Sequence, residues 1–63
     1  MELLTLREVA LLFGGSRPLN PSTVWRWVKS GRLPRPVKLG RGTVRWIRSE
    51  VEATLRRMVE ARP

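Results

Sequence analysis

The sequence predicts a small α+β domain with the order helix, helix, β-hairpin, helix. Three observations carry that reading. Two stretches place apolar residues at helical spacing between recognisable cap signals, one opening at Thr5 and one at Asn20. Pro34 and Pro36 then impose extended backbone ahead of a β-branched run broken by Gly40-Arg41-Gly42. A last apolar-periodic stretch follows Ser49. Sixty-three residues make one domain, spanning 1–63, with a thin core. There is no Cys and no His, which excludes disulfides and the common zinc sites, so stability rests on the aliphatic residues, Phe13 and three Trp.

In the first helix, Thr5-Leu6-Arg7-Glu8 is a capping box. The Thr5 hydroxyl can accept from the Glu8 N–H while Glu8 reaches back. Leu6, Val9, Ala10 and Phe13 keep helical spacing, with Leu12 beside them, and Gly14-Gly15 ends the run, so the helix is expected over Leu6 to Phe13. Gly14 to Leu19, containing Pro18, is a loop rather than a tight turn.

The second helix opens with Asn20 as N-cap and Pro21 at the first helical position, where the missing N–H has no intrahelical partner to lose. Gly31 closes it. Val24, Trp27, Val28 and, past the cap, Leu33 supply the buried stripe, while Ser22, Thr23, Arg26 and Lys29 point elsewhere. Trp25 lies about 100° from that stripe. Its expected role is structural, under the loop between the two helices, with sugar and thymine methyls of a bound duplex as the competing surroundings.

Val37-Lys38-Leu39, Gly40-Arg41-Gly42 and Thr43 to Ile47 read as strand, turn, strand, with an arginine at the tip. A two-stranded hairpin alone is barely stable in water, so Val37, Leu39, Val44 and Trp46 are expected to pack on the helices. Ser49-Glu50-Val51-Glu52 reads as a second capping box, opening a helix whose apolar face is Val51, Leu55, Met58 and Val59, with Thr54 adjoining, and which frays before Pro63. The whole is a small winged helix-turn-helix.

The formal charge is +8, and its placement is informative. Residues 26–48 carry Arg26, Lys29, Arg32, Arg35, Lys38, Arg41, Arg45 and Arg48 with no acid, whereas the segments on either side are neutral. That is the footprint of a polyanion-binding surface, against the plainer reading of a basic face kept for solubility. Double-stranded DNA is the expected partner. The second helix would enter the major groove with Ser22, Thr23, Arg26 and Lys29. Arg26 suits a base contact, because a guanidinium can hold guanine O6 and N7 together; a phosphate contact is the competing role. The hairpin would place Arg41 in or beside the minor groove, flanked by Lys38, Arg45 and Arg48 on phosphates. Arg17, in the loop, either reaches a phosphate or is solvated. Contact with five to eight phosphates implies a log–log salt slope of roughly −5 to −7.

Catalysis is not expected. His, Cys and Tyr are absent, Gly40-Arg41-Gly42 lacks phosphate-cradling spacing, and Glu50 and Glu52 are nearly opposed around a helix rather than paired. No catalytic residue, cofactor or metal site is assigned. The longest apolar stretch, Val9 to Phe13, is too short to span a bilayer, and no signal peptide is evident, so a cytoplasmic location without membrane contact is expected.

Four segments carry a family resemblance: L-T-L-R-E-V from Leu4, R-P-x-x-x-S-T-V-W-R-W-V-K from Arg17, L-P-R-P-V-K-L-G-R from Leu33, and R-W-I-R-S-E-V from Arg45. The chain resembles the lambda-type phage excisionases and the related AlpA-like regulators, which share a small winged helix similar to the MerR DNA-binding domain. The long loop with Arg17-Pro18 is similar to the excisionase branch. The resemblance implies that Ser22 and Arg26 read bases and that Arg41 enters the minor groove. It also implies a recombination directionality factor of a phage or mobile element. Such a factor would bind repeated attachment-site sequences cooperatively, self-associate along DNA, bend it, and work with a tyrosine-type integrase on the nucleoid of a bacterial host. Two departures stand out: lambda-type members have an acidic residue at the position of Ser22 and an arginine at that of Trp25. They also carry a basic integrase-binding tail after the wing. Here the sequence runs only to Pro63, so integrase contact through such a tail is not expected, or passes instead to the last helix. An AlpA-like transcription regulator, the DNA-binding head of a phage packaging protein, and a basic-faced protein-interaction module are the alternatives.

Overall fold

The computed structural model describes residues 1–62; Pro63, with which the expected domain closes, lies outside the described residues. The order is β1 (Leu3–Leu4), α1 (Leu6–Gly14), α2 (Pro21–Lys29), β2 (Val37–Gly40), β3 (Thr43–Ile47) and α3 (Arg48–Glu60). The architecture is α+β, a small winged helix-turn-helix with an antiparallel sheet in the strand order β1-β3-β2.

The local signals of the first two helices act as their chemistry requires. The Glu8 N–H donates to Thr5 Oγ1 at 3.1 Å and the Thr5 N–H to Glu8 Oε1 at 2.8 Å, completing the capping box of α1. α1 runs one residue past Phe13, to Gly14. The loop that follows is tied back by the Leu19 N–H, which donates to the Ala10 carbonyl at 3.0 Å. In α2, Asn20 Oδ1 accepts from the Ser22 N–H at 2.9 Å. At the other end Gly31 takes φ +87°, a conformation costly for any residue with a Cβ. There the Arg32 and Leu33 N–H groups both donate to the Trp27 carbonyl, which turns the chain toward the hairpin.

One hydrophobic core joins all the layers. Leu4, Val9, Ala10, Val24, Leu33, Trp46 and Val51 are buried, with Leu6, Phe13, Leu19, Trp27, Val28 and Val44 packed around them. Trp27, expected inside, is half-buried: it meets Phe13 edge-on at 6.4 Å and has the Arg32 guanidinium 5.8 Å from its ring. Trp46 is the hub. It is fully buried, and its Nε1–H donates to the Pro34 carbonyl at 2.8 Å, fastening the approach to β2 onto β3.

Several expectations are corrected. β1 has no counterpart in the sequence reading; Leu3 pairs with Ile47 and Leu4 with Trp46. Ser49 caps nothing, because α3 begins at Arg48 directly from β3, and Ile47 at the N-cap makes no side-chain cap. The reason is β1: the Glu2 carbonyl accepts the Arg48 N–H at 2.9 Å and so supplies a partner at the helix start where a serine cap was expected. Glu52 is thereby free to accept from Arg48 Nε at 3.0 Å instead of reaching back to a cap. In the hairpin, Val37 opposes Arg45, Lys38 opposes Val44 and Gly40 opposes Thr43, which leaves Leu39 as an extra residue on β2. Cross-strand partners share a face, so Val37 lies on the side away from Val44 and Trp46, and bulged Leu39 is 55% exposed. Only Val44 and Trp46 of the four expected hairpin residues reach the core. Val59 is also exposed, because α3 buries nothing beyond Thr54 and half-buries only Leu55 and Met58. Thr54 does join the buried face, its hydroxyl donating to the Glu50 carbonyl at 3.0 Å. Trp25 packs on Trp46, ring centroids 5.6 Å apart, rather than under the α1–α2 loop. Among the described residues no helix is long and apolar enough to cross a membrane.

Candidate nucleic-acid interface

The buried side of α2 is set by Val24, with Trp27 and Val28 half-buried beside it. That orientation turns Ser22, Arg26 and Lys29 outward, all three exposed. Ser22 is held by the cap: its Oγ donates to Asn20 Oδ1 at 2.7 Å, so its oxygen lone pairs remain available. Thr23 is half-buried, and its Oγ1 accepts from Arg26 Nη2 at 3.2 Å. Thr23 thus orients Arg26 instead of standing fully exposed beside it. A guanidinium has five donors, so this bond leaves the fork that matches a guanine edge largely unspent.

Next to this strip, Arg26, Trp27, Lys29, Ser30 and Arg32 line a shallow open hollow. Arg32 belongs to the basic block, and the turn at Gly31 brings it over Trp27 and beside Lys29, where a phosphate would meet two cations. Its signal in the sequence was its place just after the helix-closing glycine.

The wing carries Arg41 exposed at its tip, between the paired Gly40 and Thr43. Register divides the residues expected to flank it. Lys38 lies on the Val44 face of the hairpin and Arg45 on the Val37 face, so the two point to opposite sides. Arg45 is half-buried, with Nη1 donating to the Val44 carbonyl at 2.7 Å. Arg17 is exposed in the α1–α2 loop.

Arg48 is not brought to this surface as a free cation. Its guanidinium lies 3.2 Å from Glu2 and 3.0 Å from Glu52, and the hydrogen bond to Glu52 followed by the charge of Glu2 raises its pKa. Its charge, expected on a phosphate, is matched inside the molecule by two exposed carboxylates, across the junction of β1 and α3. Among the described residues no group of three or more Asp or Glu gathers.

A family model for a helix-turn-helix domain matches residues 3–59, nearly the whole chain. The chain belongs to the helix-turn-helix domain family. No curated protein and no solved structure matches it. Membership in the helix-turn-helix family points to double-stranded DNA as the partner, with α2 as the helix that follows the turn.

Proposed function

We propose that this helix-turn-helix protein is an excisionase, a recombination directionality factor of a phage or mobile element. It would bind repeated sites beside an attachment site on the host nucleoid, associate with further copies along the DNA, and bend it so that a tyrosine-type integrase excises rather than integrates. The observation that carries the reading is the exposed strip Ser22, Arg26, Lys29 on a firmly capped α2, in the same chain as a wing of sequence P-R-P-V-K-L-G-R that ends on exposed Arg41. Arg26, steadied by Thr23, reads a guanine; Arg41 enters the minor groove; Lys29, Arg32, Lys38, Arg45 and Arg17 serve phosphates. No catalytic residue, metal or cofactor is assigned, since the work is architectural. A single module of this size covers roughly 600–1,000 Å² of interface, too little for tight binding alone, and bending costs about 1–6 kcal/mol. Adjacent copies sharing one bent duplex offset both.

Footprinting with bend analysis across the attachment site, over a protein titration, tests this. Cooperative protection of adjacent repeats with a growing bend is the expected result. Protection of one promoter site without an array would instead identify an AlpA-like transcription regulator using the same surface. Association with a protein partner that persists in high salt, with no protected DNA, would identify a basic-faced interaction module.

A further inference from the structure

Trp25 stands out on the DNA-facing helix. It is 41% exposed, although a tryptophan at a surface usually has an occupant for its apolar body. Helical spacing puts it three residues after Ser22 and four before Lys29, so the three side chains line one strip of α2. Its other side is braced: the ring lies 5.6 Å from that of Trp46, with 46° between the planes. Trp46 is itself immobilised by full burial and by its hydrogen bond to the Pro34 carbonyl. Trp25 therefore fills the angle between α2 and β3, the strand that carries the wing.

We infer that Trp25 is a DNA contact, its exposed face packing on deoxyribose and thymine-methyl surface where the duplex passes between α2 and the wing. The inference rests on the DNA-binding reading above. Lys29, one turn further along this strip, brings the sugar–phosphate strand to it, and an indole covers the apolar part of that strand, which charged side chains leave bare. The brace on Trp46 fixes the ring beforehand, so little side-chain freedom is lost on binding. An uncharged contact releases no counterion. Its contribution must therefore be the same at low and high salt, unlike that of every arginine around it.

The test uses the full chain and a mixed-sequence duplex at low salt, with binding followed by anisotropy of the labelled DNA. In a Trp27→Phe background Trp25 is the accessible indole, because Trp46 is buried. Saturating duplex should lower acrylamide quenching of the tryptophan emission about threefold or more, as the exposed face is covered. Trp25→Ala should weaken binding about tenfold with the salt slope unchanged, and Trp25→Phe should recover most of the loss. Quenching that stays the same in a complex seen by anisotropy overturns the inference and leaves DNA binding intact. So does a Trp25→Ala loss accompanied by a shallower salt slope, since the ring would then only position charged neighbours. Absence of any duplex binding by the unmodified chain overturns both readings.

Discussion

Trp46→Phe probes the joint on which the wing and the reading helix both depend. The substitution keeps an aromatic ring but deletes the Nε1–H that donates to the Pro34 carbonyl at 2.8 Å. A carbonyl left without its donor costs about 1–2 kcal/mol. The missing part of the indole leaves a void in a site with no exposure at all, adding about 1 kcal/mol. The expected loss is therefore about 2–3 kcal/mol. At about 0.05–0.15 kcal/mol per residue the whole domain has roughly 3–9 kcal/mol to lose. For a domain of this size each kcal/mol is worth about 4–8 °C, so the midpoint should fall by roughly 10–20 °C in a thermal melt followed by far-UV circular dichroism. Trp27→Phe, on a half-buried ring with no such bond, should cost clearly less. A Trp46→Phe midpoint within about 4 °C of the parent would refute the reasoning, because it would mean that neither the bond nor the packing holds the joint.

Three further outcomes are expected. Arg48→Gln should leave the salt slope of DNA binding unchanged while lowering the thermal midpoint, since Arg48 is matched by Glu2 and Glu52; Arg41→Gln should make the slope shallower by about one. Equal slope changes would return Arg48 to the phosphate set. Gly14→Ala should destabilise despite alanine's better helix propensity, because a Cβ there would stand 2.8 Å from the Leu19 backbone nitrogen, which is itself bonded to Ala10. Denaturant midpoints should drop by an amount corresponding to about 1–3 kcal/mol, the usual cost of forced overpacking. Finally, the Thr5 backbone N–H, then the Thr5 hydroxyl, hold the Glu8 carboxyl below its ordinary range. A depressed carboxyl contributes stability that is present above its unfolded pKa and lost as pH falls through the lower folded value. Stability measured by urea titration should therefore decline on acidification below the ordinary glutamate range, and less steeply in Glu8→Gln; identical pH profiles would contradict the capping-box assignment.

The features legible in the sequence are those whose partners lie within one turn of chain. The Thr5–Glu8 box, the Asn20 cap with Pro21, the glycine after α2, the outward strip of Ser22, Arg26 and Lys29, and the Arg41 hairpin tip all follow from local spacing, because caps and periodicity act over three or four residues. The remaining features depend on pairings between distant segments. β1 has two residues, too few to show a period, and exists because Leu3 and Leu4 find Ile47 and Trp46. That pairing moves the start of α3 to Arg48, removes Ser49 from the cap and converts Arg48 from a free cation into a clasp. One bulged residue in β2 likewise turned Val37 outward and set Lys38 and Arg45 on opposite faces, since side chains alternate with a period of two and a single extra residue reverses the assignment. Trp25 followed the same logic. Its angle on the helix was legible in the chain, but its neighbour was Trp46, which only the closing of β3 against α2 could supply.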